Sequence, residues 1–587
     1  MKSLHRAFLA LLSGVLLSIP FFRWGTGLVM MVALVPLLLL EDEIASGDRR
    51  GPKDSRNPKD PRGPKDRRGY RARGRSVWAW SLLAFAPFIL LTSYWVWFAA
   101  WVGMVGAVIV NSLYMSLVFW LFHVTRRRLG DRLGYASLVV YWLTFEFLYL
   151  RALVNFPWQV MGNGFANDIL LVQWYEATGT LGGSLWALLM NIAVFRLIKG
   201  WVSSCPLMGR ADAGSKGAGS RATDALRKYS FSITRGVFRE NRSRVSWVVA
   251  IFLIPFLYSV IRYVTYEEPD DPHEIVVLQP NIDPYKKFIE MPQSDQTSIL
   301  LALADSMVTP STDYIVGPET FINNGVWISS IKSHPEFRRL ERFLEDYPGA
   351  KLVMGATTLE LYRDPSDFTR TSKLAGSGPY RFDSYNSAFQ MDRTGEIPLY
   401  HKSKLVVGVE FMPYTRALGF LEKLTVRLGG AFRGHATQAF RETFVSPQDS
   451  TRVAPVICWE SIFGEYVTEY VSKEGANFLF IITNDGWWRN TPGHRQHNSY
   501  ARLRAIENRR SIARSANTGI SCLIDQRGRE IERLGWWVRS GIRGTLNSND
   551  QLTFYTRHGD YIGRVSALLA VILLLYTAMI RIIRKET

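Results

Sequence analysis

Cys458 closes the apolar run Arg452-Val453-Ala454-Pro455-Val456-Ile457-Cys458 and is followed at once by Trp459-Glu460-Ser461. Such a run reads as a buried strand that delivers a thiol, with a carboxylate beside it, to the sheet edge where α/β folds place their chemistry. Two further segments end in residues that complement it, Val316-Gly317-Pro318-Glu319 and Tyr400-His401-Lys402. A thiol, a carboxylate and an ammonium at three strand ends make a nucleophile, its base and a cation for a developing oxyanion. Taken singly, each has a plainer reading. Cys458 alone is an inert core thiol, Glu319 a first-turn helix acid, and Lys402 and Lys404, on one face by alternation, surface lysines. Only the combination points to acyl chemistry.

The elements that must position these residues lie between about 272 and 555. Strands are predicted at 274–279, 313–316, 350–355 and 386–391. The turn Asp392-Arg393-Thr394-Gly395 leads into a hairpin partner at 398–402, and two more strands follow, one ending at Cys458 and one at 478–483. Helical patterns at 335–346 and 495–511 separate them, which predicts a layered α/β sandwich.

The rest of the 587 residues combine 47% hydrophobic content with a net charge of +19, a contradiction resolved by segregation. Apolar stretches near 7–22, 25–40, 77–97, 101–123, 134–150, 181–198, 246–264 and 563–582 predict about eight membrane helices. The first lacks a small-residue cleavage site and reads as a retained helix rather than a signal peptide. Lysines and arginines crowd 49–75, 126–128, 199–244 and the tail at Arg581, Arg584 and Lys585. If eight helices alternate, all four lie on one side, the cytoplasmic one. The 266–556 region then faces the periplasm as the catalytic domain, between a membrane domain at 1–265 with seven helices and a final helix and tail at 557–587. Within the membrane domain, 41–76 and 199–245 are expected to be flexible. The Pro-, Gly- and charge-rich repeat at 51–68 lacks the aromatics of a nucleic-acid arm and reads as a tether to anionic lipid. Glu146 and Arg151, near a span end, are expected to pair with each other. Three cysteines do not make a disulfide scaffold; Cys205 falls in a loop and Cys522 in the core. His494 and His497 come without an HExxH pattern or cysteine cluster, so no metal site is expected.

Several local motifs accompany the Glu319, Lys402 and Cys458 trio. They are Gln279-Pro280-Asn281, Tyr385-Asn386, Tyr400-His401-Lys402-Ser403-Lys404-Leu405-Val406, Glu410-Phe411-Met412-Pro413, Asn484-Asp485-Gly486-Trp487-Trp488 and Arg504-Ala505-Ile506-Glu507-Asn508, with Phe156-Pro157-Trp158 in the membrane part. In these the chain resembles the nitrilase superfamily and, with its membrane helices, the apolipoprotein N-acyltransferase family within it. The resemblance implies a polytopic helical membrane domain joined to a nitrilase-like αββα sandwich in a bacterial inner membrane. It implies Cys458 as nucleophile, Glu319 as base and Lys402 as oxyanion cation. Glu410 and Glu460 would orient Lys402 or position substrate, and Trp459, Trp487 and Asn386 would support them. By the same resemblance an acyl chain passes from a phospholipid, through a Cys458 thioester, to the amine of a diacylglyceryl-cysteine on an apolipoprotein. No cofactor and a monomeric state are expected. Loops at 410–421 and 487–492 would dip into the lipid interface. Three departures stand out: Val407-Gly408-Val409 where the family carries Pro-Phe-Gly before Glu410, Trp459 where Tyr is frequent, and Phe288 where a Trp is expected. Two alternatives remain at this stage. A membrane-anchored amidase would resolve the thioester with water, and a non-enzymatic scaffold or transporter would need midplane charges or inverted repeats that the spans lack.

Overall fold

The computed structural model describes residues 2–46, 64–204, 222–288, 290–407, 409–411 and 434–586. Most of the basic repeat, Cys205, the 211–220 stretch and positions 412–421 of the expected interfacial loop lie outside the described residues.

Seven helices precede the α/β part: α1 (Lys2–Ser18), α2 (Val35–Ser46), α3 (Pro64–Ser93), α4 (Val96–Leu129), α5 (Asp131–Tyr149), α6 (Tyr175–Ser204) and α7 (Ala222–Thr265). Helix therefore occupies 41–46, 64–76, 199–204 and 222–245, parts of the two stretches expected to be flexible. Among the described residues fourteen strands follow in two sheets. The first holds β1 (Pro272–Gln279), β2 (Tyr314–Val316), β3 (Ile322–Trp327), β4 (Lys351–Tyr362), β5 (Lys373–Leu374), β6 (Arg381–Met391) and β7 (Leu399–His401). The second holds β8 (Phe444–Val445), β9 (Arg452–Ile457), β10 (Phe478–Thr483), β11 (Ser511–Ala516), β12 (Cys522–Ile524) and β13 (Glu530–Arg533), while β14 (Ser540–Asn547) returns to pair antiparallel with β1.

Alternation within β1 shows why the sheets stack. Ile275 and Val277 join Tyr314, Val316 and Val353 in a core shared with Val453, Val456 and Phe480 of the second sheet. Val276 and Leu278 face the other way, into a cluster with Leu300 and Ala304 of α9 (Gln293–Asp305) and Phe337, Leu340 and Leu344 of α10 (Pro335–Glu345). Successive side chains of a strand point to opposite faces, so a strand covered on both sides reads as one unbroken apolar run. On the far side of the second sheet lie α11 (Gly464–Ser472) and α12 (Pro492–Asn508), completing an αββα sandwich. Short helices α8 (Pro284–Lys287) and α13 (Phe554–His558) flank it, and α14 (Tyr561–Glu586) ends the chain.

Among the described residues six helices are long and apolar enough to cross a bilayer by length and composition, Lys2–Phe21, Gly74–Ser93, Val96–Leu129, Tyr175–Val202, Asn241–Thr265 and Tyr561–Ile580, so two of the expected eight are not matched. The second expected span folds as a 3-10 turn plus α2, whose 12 residues reach about 18 Å of the roughly 30 Å required. Helix α5 has 19 residues but carries Asp131, Arg132 and Glu146. Arg126, expected in a basic loop, is instead a buried lock between helices. Its guanidinium donates to Glu41 of α2, to Asp42 at 2.5 Å and to Asp131 at 2.9 Å. The expected Glu146–Arg151 pair does not form. Glu146 turns into the bundle, accepting from Trp142 Nε1 and the Met161 N–H, while Arg151, beyond the end of α5, pairs with Glu465 and Asp560.

Candidate active site

Strand β9 stops at Ile457 because the next residue leaves the extended region: Cys458 sits at φ +50° and opens a 3-10 turn, Cys458–Ile462. A non-glycine residue there carries strain of order 1–2 kcal/mol and persists only where its surroundings hold it. Here Ser461 Oγ and His497 Nε2 both donate to the Cys458 carbonyl, at 2.8 and 3.1 Å, and the Ile457 N–H donates to Glu460 at 2.9 Å. The sharp turn aims the sulfur out of the sheet edge.

Glu319 follows β2 through Gly317-Pro318, and Thr320 after it also has positive φ, +45°. This turn rests directly on β4. The Gly355 N–H donates to the Pro318 carbonyl, Phe321 N–H to the Gly355 carbonyl, and a Cβ on Gly355 would lie 2.4 Å from the Thr320 nitrogen. From the other side Lys287 Nζ donates to the Thr320 carbonyl at 2.7 Å. Burial pushes Lys287 down to about 7, with the nearby Glu319 pulling back.

Lys402 lies one residue past β7 and is fully buried. Its ammonium donates to Glu319 at 3.0 Å and to Glu410 at 2.9 Å. Asn386 on β6 donates through Nδ2 to the same two carboxylates, at 2.8 and 2.9 Å, and Val406 N–H donates to the other Glu410 oxygen. Burial opposes the Lys402 charge, but Glu319 and Glu410 together hold it well above the ordinary lysine range. Glu410 is drawn below the usual carboxylate range by Lys402 and His435, against its own burial. The Cys458 thiol is pushed well above its ordinary range by burial and then by Glu319, with Lys402 acting in the opposite sense. The resting site is therefore a thiol beside a carboxylate and an ammonium, not a preformed thiolate. Its sulfur becomes nucleophilic only as a base removes the proton.

The supporting residues separate by role. Glu460 does not touch the Lys402 ammonium. Its carboxylate instead accepts from the Ser403 and Ile457 N–H groups and from the Tyr400 and Tyr466 hydroxyls, which fixes the Lys402 loop against the Cys458 strand. Trp459 packs on Phe156 and Trp158 of the membrane half, with ring centroids 5.8 and 5.5 Å apart. Trp487, half-buried, stacks on Phe288 at 6.0 Å and meets Tyr285 at 5.2 Å.

Sequence reasoning missed two groups. One is Lys287, whose Pro-Tyr-Lys-Lys-Phe setting looks like solvent-facing charge. The other is a buried set under the nucleophile: Asp485 is met by Arg514 at 2.7 Å, by Thr483 Oγ1 at 2.8 Å and by His497 Nδ1 at 3.0 Å. Arg514 and His497 overcome burial and hold Asp485 well below the usual carboxylate range. Asp485 stood in the Asn484-Asp485-Gly486 motif and His497 in the His494/His497 pair, but nothing local placed them together with Arg514 beneath Cys458. Cys458, Asp485 and His497 bring ligand-type atoms within 4.8 Å of one another. Internal partners already occupy the Asp485 carboxylate and both ring nitrogens of His497, so the donor set is explained without an ion.

Residues 277–550 match the carbon-nitrogen hydrolase family model, and residues 13–193 match the model of the apolipoprotein N-acyltransferase N-terminal domain. The chain is 28% identical to an apolipoprotein N-acyltransferase of Chlorobaculum tepidum over 97% of its own length and 96% of that protein's. With one of Geobacter metallireducens it shares 26% over 94% and 91%. A solved CN-hydrolase superfamily protein from Xanthomonas campestris aligns with 49% of the chain and 95% of its own, at 15% identity and a TM-score of 0.33. Both halves are matched in order and relatives align nearly end to end, so this chain is similar to apolipoprotein N-acyltransferases along almost its whole length.

Proposed function

We propose that the chain transfers an acyl chain from a phospholipid to the N-terminal amine of diacylglyceryl-cysteine on apolipoproteins. Glu319 takes the Cys458 proton as the sulfur attacks the ester carbonyl, and Lys402 stabilises the tetrahedral oxyanion. Collapse breaks the C–O bond and leaves a C–S thioester, and the lysophospholipid departs with the proton from Glu319. The amine then attacks the thioester, passes its proton through Glu319 and releases Cys458, a ping-pong course. A fixed ammonium in a dry site is worth about a hundred- to a thousandfold in rate.

The observation that carries this reading is the position of Trp459. The residue next to the nucleophile lies against Phe156 and Trp158, so the reacting carbonyl is handled at the surface of the membrane helices. If α2 and α5 also lie within the bilayer beside the six long apolar helices, the spans alternate so that every basic loop falls on one side, which supports a cytoplasmic side for those loops and a periplasmic α/β domain. The test is a thioester trap on the detergent-purified full chain, using a phospholipid with a clickable acyl chain. Hydroxylamine-labile label in wild type, absent in Cys458→Ala and chased by a diacylated lipopeptide, is the expected outcome. Label lost to water at the same rate with and without lipopeptide makes the chain a hydrolase instead.

A further inference from the structure

Beyond the Cys458 site a second cavity, of about 390 Å³, opens where the α/β domain meets the membrane helices. Its wall includes Arg151, past the end of α5, and Asp560, just ahead of α14, together with Lys404, Arg441, Phe463 and Tyr466. A volume in the roughly 300–1,000 Å³ range is that of a small-molecule site.

Three cations, Arg151, Lys404 and Arg441, and three acids, Glu465, Glu469 and Asp560, line this cavity, but the acids are engaged without Lys404 or Arg441. Arg151 is taken by Glu465 and Asp560, Glu465 also by Arg564, and Glu469 by Lys473. Arg441 is left over. Only 7% of it is exposed, its guanidinium lies 3.9 Å above the Tyr466 ring, and one nitrogen donates to the Ala439 carbonyl. Its Nε is buried with no partner among the described residues, and no carboxylate there pairs with it. Lys404 faces the rings of Phe463 and Tyr466, also without a carboxylate partner among the described residues. Its proton is held less firmly than an ordinary lysine's, through burial and then the Arg441 charge. Burying an unpaired guanidinium costs several kcal/mol. The Glu460 charge acts on both from a distance, but neither cation has an ion-pair partner among the described residues, and an anion in the cavity would supply one.

We propose that Arg441 and Lys404 bind the phosphate of a membrane phospholipid headgroup. Arginine presents a planar fork that matches phosphate oxygens, and lysine adds a compact second charge. The membrane source, rather than free phosphate, follows from the place of the cavity: Asp560 in its wall directly precedes α14, a helix long and apolar enough to cross a bilayer, and the end of such a helix is where headgroups are met. The cavity also adjoins the reaction machinery, since Tyr466 beneath Arg441 donates to Glu460, which in turn holds Ser403 beside Lys402.

The test uses the full chain in detergent and needs no catalytic turnover. Native mass spectrometry would measure binding of dihexanoyl phosphatidylglycerol, dihexanoylglycerol and inorganic phosphate to wild type, Lys404→Gln and Arg441→Gln. Expected is phosphatidylglycerol binding weakened about tenfold or more in each variant, the worth of one charge-assisted hydrogen bond. Dihexanoylglycerol, lacking phosphate, should bind all three proteins alike. Phosphatidylglycerol affinities within twofold across the three proteins would overturn the proposal. Inorganic phosphate binding as tightly as the lipid, and lost in the variants, would overturn the lipid assignment. Arg441 is buried, so if its variant melts early, the half-buried Lys404→Gln decides. This binding result is separate from the thioester trap, and either can fail without the other.

Discussion

Replacing Glu410 by Gln removes one charge and almost no volume, which makes it the sharpest probe of the ammonium. One Glu410 oxygen accepts from Lys402 Nζ and Asn386 Nδ2, both at 2.9 Å, and the other from Val406 N–H at 2.8 Å. All three partners are donors, and an amide has only one acceptor oxygen. Placed toward Lys402, that oxygen leaves the new NH2 facing the Val406 N–H; flipped, the NH2 faces an ammonium. Either way a hydrogen bond to a charged or buried donor is lost, worth about 1.5–3 kcal/mol. If that loss falls on Lys402 when the oxyanion forms, kcat/KM for Cys458 acylation drops about 10- to 150-fold. The ammonium also loses one of the two charges that raise it, so it deprotonates at lower pH and the alkaline limb of the rate profile moves to the acid side. Single-turnover acylation from a labelled phospholipid between pH 6 and 10 measures both effects, the second as an alkaline limb that enters this window in the variant while the wild-type limb lies above it. A variant within threefold of wild type with an unmoved alkaline limb would refute the assignment of Lys402 as the oxyanion cation supported by Glu410.

Lys287→Met should separate stability from activity. Its ordinary value of 10.5 falls to about 7 on burial, so keeping it charged costs up to about 5 kcal/mol at neutral pH, partly offset by its bonds to the Glu319 and Thr320 carbonyls. Because the folded value is depressed, wild type gains on the variant as pH rises from 7 toward 10.5. The melting difference should follow that sign while acylation slows, and a difference flat with pH would reject it. Gly355→Ala places a methyl against the Thr320 nitrogen and displaces Glu319, so acylation should fall about a hundredfold with helix content retained, read by circular dichroism beside the thioester assay. Burial holds His494 down to about 4 from 6.5, so its share of stability, about 3 kcal/mol, is present above pH 6.5 and lost as pH falls toward 4. His494→Gln should flatten that part of the acid melting curve, and an unchanged curve would count against a neutral buried His494.

Much of the α/β half was legible because buried strands write themselves as apolar runs. The predicted segments at 274–279, 386–391 and 478–483 overlap β1, β6 and β10 closely, and the Asp392–Gly395 turn does join β6 to β7. Legibility failed where tertiary contacts, not local pattern, decide. The second apolar stretch looked like a span because Leu37, Leu38 and Leu40 are buried, but they are buried against other helices, and Glu41 continues the same helix into a charged lock with Arg126. Lys287 and Arg441 drew no notice in the sequence because nothing local marks a lysine or arginine for burial. The positive φ at Cys458 and Thr320 was likewise invisible, because no glycine announces it and distant residues, His497 and Lys287, hold it.

Those distant residues also explain why the two halves form one working unit. Helix α12 supplies His497 beneath Cys458 and, one residue earlier, Gln496, whose side-chain oxygen receives the indole N–H groups of Trp95 and Trp158 at 3.1 and 2.5 Å. Tyr500, one turn on, donates to the Trp158 carbonyl at 3.0 Å. Farther along, Arg509 grips Glu176 at 2.6 Å and Gln173 at 2.8 Å, while Glu507 accepts the Thr180 N–H. This helix thus holds the Cys458 backbone through His497 and the membrane half through Gln496, Tyr500 and Glu507, so any shift between halves reaches Cys458 through a single rigid element. A hydrolase of small soluble substrates has no use for that coupling. An enzyme whose substrates arrive along a bilayer does, because the same contacts that seat the domain on the helices set the height of the thiol above the lipid.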